Sequence, residues 1–487
     1  MILKEYLQFA QKIGLISITN ILITLSGILL LPILTKTLPI AEYGIYVQIT
    51  VTMVLIPGLV MLGLPYTMIR FLAAAKTREE KQEGFYSIAA VTVITSAIAS
   101  IVIFILADPI AREIFDGQVE VTQIIALIIF CECINLLQFN YFRTFQLAKH
   151  YSVLSIFKTV LQLGIIGTFV LLGYRIYGVA AGLFIADLVL LLLMAGIIVS
   201  DIGISVPKFT NLREYLSFGL PTVPGNVSSW ILNSSDKFLI TLFLGTTFVG
   251  YYAPGYFLGN IIIMYVTPLA FMLPAVLSKY YEDNNLQEVQ TILKYSLKYF
   301  LLFAIPSWVG LSVLSKPLLT ILTTPEIAAN GYLITPFIGI SAIIMGIFTI
   351  MFQIFILEKN TMITAKIWII AALLNFGMNL FLIPFLGIIG AAITTIITFV
   401  FALCIVLHYF RAKSGIRITH DFGKTIVRIT FASLCMIPVL VLLHPDGILS
   451  ILFAVTVSTI LYFVVLFILG EISAHEVSFF KKILIPG

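Results

Sequence analysis

The segment LREYLSF at residues 212–218 repeats the segment LKEYLQF at residues 3–9, which lies 209 residues earlier. After a slip of three residues the similarity continues at a spacing of 206, where Asn20, Gly44 and Tyr46 pair with Asn226, Gly250 and Tyr252. A period of about two hundred residues is too long for a solenoid repeat. The sequence therefore predicts a duplicated bundle, with halves at 1–205 and 206–412 and an unpaired segment at 413–487.

The composition is that of a membrane protein: 60% of the residues are hydrophobic, 10% are charged, and the mean hydropathy is +1.10. Apolar runs of about twenty residues recur along the chain, and each is long enough to cross a bilayer as a helix. The predicted fold is an all-α polytopic membrane helix bundle of about 14 transmembrane helices, at residues 13–35, 44–69, 86–106, 121–142, 153–173, 177–199, 217–242, 249–276, 296–314, 332–356, 363–384, 387–409, 424–443 and 447–469.

The distribution of basic residues predicts the topology. With the N-terminus inside the cell, 23 of the 28 Lys and Arg residues fall in cytoplasmic segments; the exceptions are Lys36, Arg112, Arg175, Lys237 and Lys316. This bias follows the positive-inside rule and predicts a cell-membrane protein with both termini in the cytoplasm. Six spans in each half make two parallel six-helix lobes, and the last two spans form a C-terminal helix pair followed by a cytoplasmic tail.

Polar residues occur inside several predicted spans, where they are costly and usually functional or paired. Asn226, Asn233 and Lys237 share one face of the seventh span, beside Asp236,. This stripe is either a wall of a hydrophilic substrate cavity or a packing seam that ends in a local Asp–Lys pair. The sequence leaves both interpretations open.

Two acidic residues stand out in the first half. Glu132 lies in the fourth span on the face of Asn135 and Arg143, and Asp187 lies near the middle of the sixth span. A lone carboxylate in hydrocarbon either takes up a proton or finds a partner. These acids are candidates for a proton- or cation-responsive site, or for buried structural pairs. The sequence does not identify the partner of Asp187.

Short motifs along the chain give it a resemblance to a known family. They are LTKTL at 34–38, EYGIY at 42–46, LGL at 62–64, RFLA at 70–73, FGLP at 218–221, SDK at 235–237, VGYY at 249–252, Asn375 with Asn379, LIP at 382–384 and GIIGAA at 387–392. Together they resemble polysaccharide flippases of the multidrug/oligosaccharidyl-lipid/polysaccharide exporter superfamily. The resemblance implies two six-helix lobes around a cavity that opens alternately to each side of the membrane.

The resemblance also implies a substrate, a glycan linked to a polyprenyl phosphate or diphosphate that is moved from the cytoplasmic to the outer leaflet. We expect basic residues to attract the phosphate and asparagines to contact sugar. The substrate-binding candidates are Asn20, Arg70, Arg143, Asn226, Asn233, Lys237, Asn375 and Asn379, and the coupling-ion candidates are Glu132, Asp187 and Asp236. Lipid II flippases carry several arginines in the cavity, and this chain offers few deep cations.

Other functional classes fit the sequence less well. No catalytic residue, metal site or cofactor is predicted, and the external loops are too short for a typical membrane glycan polymerase or glycosyltransferase. A drug exporter of the same superfamily is the main alternative, and a non-transporting scaffold is a third. Glycosyltransferases or a polymerase of the same pathway are possible partners, and nucleic acid is not expected.

Overall fold

The computed structural model describes residues 2–358, 361–413, 421–443 and 446–471. Within these ranges all regular secondary structure is helical, which confirms the predicted all-α class. The first ten helices are α1 (Ile2–Thr37), α2 (Ile40–Val60), α3 (Leu64–Leu72), α4 (Arg78–Ile105), α5 (Ala107–Ile114), α6 (Val119–Thr144), α7 (Ala148–Leu171), α8 (Arg175–Ile202), α9 (Leu212–Gly219) and α10 (Val223–Leu244). The next ten are α11 (Thr246–Asn260), α12 (Thr267–Glu282), α13 (Leu286–Leu322), α14 (Pro325–Gly331), α15 (Ile334–Leu357), α16 (Thr361–Leu386), α17 (Ile388–Lys413), α18 (Asp421–Leu434), α19 (Met436–Leu442) and α20 (Ile448–Ile468). Short 3-10 helices at Leu220–Thr222 and Ile261–Tyr265 precede α10 and α12.

Twelve helical segments of the described residues are long and apolar enough to cross a membrane, and they coincide with twelve of the fourteen predicted spans,. The two remaining predicted spans are the first of each half. The apolar part of α1 found among the described residues, Leu22–Thr37, is shorter. Helix α10 carries Asn226, Asn233, Asp236 and Lys237, which lower its hydropathy. The number fourteen therefore stays a prediction.

The chain forms two compact units. The first comprises Met1–Tyr251 and Asn379–Gly387, and the second comprises Tyr252–Met378 and Ile388–Gly487. These bounds describe compactness and not internal similarity, so the predicted lobes at 1–205 and 206–412 stay predictions. The C-terminal helix pair contains α18, α19 and α20, and the predicted tail from residue 472 onward lies outside the described residues.

Helix α6 is the central helix of the first unit, because it packs against α2, α3, α4, α5, α7 and α8. Because neighbouring helices surround most of α6, most of its side chains are buried against them, including several polar ones. Asn135 and Gln138 are buried against α8, where their amide groups donate to the backbone oxygens of Asp187 at 3.0 Å and Leu191 at 3.4 Å.

Helix α3 begins at a glycine that the packing requires. Gly63 has φ +71°, and a Cβ there would lie 2.1 Å from the backbone oxygen of Gly219. Only glycine adopts this conformation easily and leaves room for so close an approach. The contact brings α3 against α9, where the Thr67 hydroxyl donates to the backbone oxygen of Tyr215 at 3.0 Å.

The segment between α8 and α9 is bonded to α4. Arg78 and Gln82 both donate to the backbone oxygen of Ile202, and the Tyr86 hydroxyl donates to that of Gly203 at 2.6 Å. Helix α4 itself begins with a capping box, in which Thr77 accepts from the backbone N–H of Glu80 at 3.1 Å,. The end of α8 is thus held by three side chains from one helix.

In the second unit the long helix α13 packs against α12, α14, α15, α18, α19 and α20. Side chains of α13 and α18 meet at Glu471, just beyond α20. The Glu471 carboxylate lies 3.3 Å from Arg428 Nη1 and accepts from the Thr425 hydroxyl at 2.9 Å, and its backbone oxygen accepts from Lys298 Nζ at 2.9 Å. We call Lys298, Thr425, Arg428 and Glu471 the Glu471 cluster. It links α13, α18 and the end of α20.

Candidate functional site

A cavity of about 460 Å³ lies within the first unit, between α2, α3, α6 and α10. We call it the polar cavity. Its walls combine apolar groups with amides, hydroxyls, one carboxylate and one guanidinium, and its volume falls in the range of small-molecule sites. The polar and aromatic lining residues are Tyr66, Glu132, Asn140, Arg143, Asn226, Ser229, Trp230, Asn233 and Ser234.

Helix α6 supplies the charged wall of the polar cavity. Glu132, Asn140 and Arg143 are spaced so that one helical face turns toward the cavity,. Arg143 is exposed, and its Nη1 lies 3.4 Å from Asn140 Oδ1. Asn135, which the sequence placed on the same face, turns toward α8 instead. The guanidinium therefore has donors available for an anionic ligand.

Helix α10 supplies the neutral wall with part of its polar stripe. Asn226, Ser229 and Asn233 line the polar cavity, and Tyr66 from α3 donates its hydroxyl to Asn226 Oδ1 at 3.1 Å. Trp230 is fixed behind them because its Nε1 donates to the backbone oxygen of Val51 at 3.1 Å. This wall presents both donors and acceptors, which is what a hydroxyl-rich ligand requires.

The charged end of the α10 stripe lies outside the cavity lining. Lys237 Nζ donates to the backbone oxygen of Asn233 at 3.0 Å and lies 3.3 Å from Asp236 Oδ1. Asp236 is buried. Gln48 of α2 donates to the backbone oxygen of Lys237 and to the Thr241 hydroxyl, both at 2.7 Å. This part of α10 therefore makes a tight seam with α2.

The remaining substrate candidates are also absent from the cavity lining. Asn20 and Arg70 are exposed on α1 and α3. Asn375 and Asn379 are buried on α16, and Asn375 Nδ2 donates to the Thr398 hydroxyl at 3.2 Å. The polar cavity thus brings together four of the predicted site residues. They are the substrate candidates Arg143, Asn226 and Asn233 and the coupling-ion candidate Glu132. The sequence reasoning missed Tyr66, which lies in no polar stripe, and Asn140, although Asn140 shares the helical face of Glu132 and Arg143,.

Asp187 has a partner that the sequence did not reveal. Lys158 Nζ of α7 lies 2.6 Å from Glu132 Oε2 and 3.2 Å from Asp187 Oδ1. We call these three residues the acid–lysine cluster. Both acidic candidates of the first half therefore meet at one ammonium group, between α6, α7 and α8. Within the described part of the chain, no group of three or more His, Cys, Asp or Glu residues is placed to hold a metal ion.

Comparison with known proteins identifies the relatives of this chain. The family model described as "Polysaccharide biosynthesis protein" matches residues 9–275, which is more than half of the chain. The "Probable low-salt glycan biosynthesis flippase Agl15" of Haloferax volcanii is 25% identical over 263 residues, covering 52% of this chain and 55% of that protein. The chain thus matches about half the length of this curated relative.

Solved structures share the fold at low sequence identity. The structure titled "Lipid II flippase MurJ, inward closed conformation" superposes with a TM-score of 0.75 at 18% identity and covers 93% of this chain and 98% of MurJ. An inward-facing multidrug resistance MATE family transporter of the MOP superfamily has a TM-score of 0.67 at 14% identity, with coverage of 80% and 96%. These similarities show that the chain has a MurJ-like helical fold, and the division into two six-helix lobes stays a prediction.

Proposed function

Because the chain belongs to the polysaccharide biosynthesis protein family, we propose that it is a flippase for an oligosaccharide linked to a polyprenyl phosphate or diphosphate. It moves this lipid from the cytoplasmic to the outer leaflet by alternating access. The observation that supports the proposal best is the polar cavity inside an apolar bundle. Sugar hydroxyls cannot enter hydrocarbon without losing their hydrogen bonds to water. The amides and hydroxyls of the cavity replace those bonds.

The two walls of the polar cavity suggest two subsites. Arg143 on α6 binds the phosphate, because a guanidinium forms charge-assisted, bidentate hydrogen bonds to phosphate oxygens. Asn226, Ser229 and Asn233 on α10 bind sugar hydroxyls through amide and hydroxyl groups. Arg70 and Lys237 lie outside the lining, so we assign neither of them a contact with the phosphate in this cavity.

The proposal includes the placement of the protein in its pathway. Both termini lie in the cytoplasm, as the distribution of basic residues predicts. Glycosyltransferases of the same pathway supply the lipid-linked glycan, and a polymerase or transferase on the outer side consumes it. The relatives named above are described as flippases and a transporter, and we assign this chain no covalent chemistry.

A flipping assay with matched variants tests this function. The purified protein is reconstituted in liposomes that contain a fluorescent disaccharide on a short polyprenyl diphosphate, and loss of fluorescence to an impermeant quencher reports the flipping rate. Arg143→Gln should lower the rate at least about tenfold, because one charge-assisted contact stabilises by roughly 1.5–3 kcal/mol. Arg213→Gln, which removes an exposed arginine on α9, is the control and should leave the rate unchanged.

Other outcomes of this assay separate the alternatives. If Lys237→Ala abolishes flipping at unchanged thermal stability and Arg143→Gln does not, the phosphate contact belongs to α10. Transport of a lipophilic cationic dye without flipping of the lipid-linked sugar would instead make the protein a drug exporter. Equal rates in empty and protein-containing liposomes would refute the proposal.

The proposed topology has a separate test. In a variant without native cysteines, Lys76→Cys before α4 should react with an impermeant thiol reagent only from the cytoplasmic side. Arg112→Cys on α5 should react only from outside. The side chains at positions 76 and 112 are both exposed, so the reagent can reach either cysteine. Labelling of Lys76→Cys in intact cells would overturn the orientation.

A further inference from the structure

The acid–lysine cluster places two carboxylates on one ammonium group. Lys158 is 18% exposed, Glu132 is 11% exposed and Asp187 is fully buried, by side-chain surface. With both acids ionised, the three groups carry one net negative charge inside an apolar bundle. An uncompensated charge in such surroundings is strongly unfavourable. One further positive charge would therefore stabilise the cluster.

Among the described side chains of the helices packed around the cluster, none is placed to supply it: Lys36, Lys149, Arg175 and Asp201 lie near the ends of α1, α7 and α8. Among the described residues, α6 adds Cys131 and Cys133 near the cluster. The charge of α2 is Glu42, which pairs with Arg175 at 2.6 Å. The charged residues of α4 all precede Gly84, close to its start. Arg143 of α6 faces the polar cavity.

Unsatisfied oxygens mark the position of the missing group. Asp187 Oδ2 and Asn135 Oδ1 are buried and accept no hydrogen bond within the described part of the chain. Asn135 lies beside Asp187, since its Nδ2 donates to the Asp187 backbone oxygen. Buried acceptors without donors are rare and unfavourable. A protonated carboxyl group would supply one O–H donor at this place.

A proton fits the cluster better than a metal ion does. Lys158 Nζ already occupies the space between the two carboxylates, at 2.6 Å and 3.2 Å. A metal ion bound to the same oxygens would be repelled by the ammonium at close range in a medium of low dielectric constant. A proton on one carboxyl group cancels the net charge and leaves the lysine in place.

We propose that Glu132, Lys158 and Asp187 form a proton-binding site that is reached from the polar cavity through Glu132, and that it takes up one proton when an anionic head group binds at Arg143. The choice of ligand rests on the proposed function. Glu132 and Arg143 line the same cavity, so a negative charge on Glu132 opposes the binding of phosphate. Neutralising the cluster removes this opposition. By linkage, phosphate binding then favours protonation to the same extent.

The proton site can be tested without any ligand. Infrared difference spectra of the purified protein are recorded on acidification, in water and in heavy water, to detect the C=O band of a buried protonated carboxyl group. The band should be present in the wild type and lost in Asp187→Asn. Glu132→Gln, which changes the cavity side of the cluster, provides a second variant in case Asp187→Asn fails to fold.

Glu471→Gln is the matched control, because Glu471 is also a buried carboxylate but contacts two cations. Its variant should keep the band. Retention of the band in both Asp187→Asn and Glu132→Gln, or its absence from the wild type, would overturn the proton site whether or not the protein flips lipids.

Proton linkage is measured with farnesyl diphosphate as the probe. Calorimetric titrations in buffers of different ionisation enthalpy should give uptake of about one proton per bound probe. At pH values where the free site has lost its proton, the affinity for the probe should fall about tenfold for each unit that the pH rises. In Asp187→Asn the uptake should fall to about zero while binding persists. Probe binding without proton uptake in the wild type would refute the linkage. Failure of the probe to bind would refute the anion-binding part of the inference and leave the infrared test to decide the proton site.

Discussion

Two clusters of acidic and basic residues, one in each unit, differ in their balance of charge. The acid–lysine cluster of the first unit joins two carboxylates to Lys158, whereas the Glu471 cluster of the second unit joins one carboxylate to Lys298 and Arg428. Asp187 is fully buried, but the Arg428 side chain is 42% exposed. Water easily solvates the excess positive charge of the Glu471 cluster. The excess negative charge of the acid–lysine cluster lies in the interior, where a bound proton would neutralise it.

The comparison gives the Glu471 cluster a structural role and the acid–lysine cluster the proposed proton-binding role. The Glu471 carboxylate contacts Lys298, Arg428 and Thr425, and these contacts hold α13, α18 and the end of α20 together. The acid–lysine cluster contains an unsatisfied carboxylate oxygen and touches the polar cavity.

Removal of the shared lysine should have the largest effect. Lys158→Met leaves two carboxylates without a cation in the interior, and breaking a buried pair in this way typically costs about 3–5 kcal/mol. The thermal midpoint of the detergent-solubilised protein should fall accordingly. Lys149→Met removes an exposed lysine of the same helix and should have little effect. The double variant Lys158→Met/Asp187→Asn should recover part of the loss, and an unchanged midpoint in Lys158→Met would contradict the contrast.

Neutralising the carboxylate of the Glu471 cluster should have an intermediate effect. Glu471→Gln removes charge-assisted hydrogen bonds, each worth roughly 1.5–3 kcal/mol, but the exposed Arg428 regains water,. We therefore expect a net loss of about 1–2 kcal/mol and faster proteolysis near α18. The measurement is the thermal midpoint together with limited digestion. A loss larger than that of Lys158→Met would invert the proposed order.

Salt should have the smallest effect, and it should act on one cluster. High ionic strength screens exposed pairs and hardly affects buried ones. In wild type, the Arg428–Glu471 contact should weaken by about 0.2–1 kcal/mol, a loss absent from Arg428→Gln. The difference in thermal midpoint between wild type and Lys158→Met should not change with salt. Salt dependence of that difference would show that water reaches the acid–lysine cluster.

Patterns that repeat along one helix were predictable from the sequence. Helical periodicity alone fixes which residues share a face, so the sequence placed Asn226 and Asn233 together, although it left open whether that face is a cavity wall or a packing seam. The same reasoning extended to Lys237, whose long side chain folds back onto Asn233 and Asp236 instead. Periodicity places a Cα atom on a face, but the rotamer of a flexible side chain depends on its partners.

Contacts between helices were not predictable. Glu132 and Lys158 are 26 residues apart, on two helices whose relative register the sequence does not give. The topology prediction counts Lys158 among the 23 cytoplasmic basic residues, although it lies beside two buried acids. The twelve spans were predictable because apolar length alone defines them. Helix α10 departs from this rule because the polar residues along it lower its hydropathy.

The discontinuous first unit has a consequence for biogenesis. Its final segment, Asn379–Gly387, follows the preceding part, which ends at Tyr251, by more than a hundred residues. At ordinary ribosomal speeds, the translocon receives that segment roughly 7–30 s after Tyr251 has been synthesised. During this interval the nascent first unit lies in the bilayer incomplete. Quality-control proteases that monitor unassembled membrane segments therefore have a defined period in which to act, and slow codons between residues 252 and 378 would lengthen it.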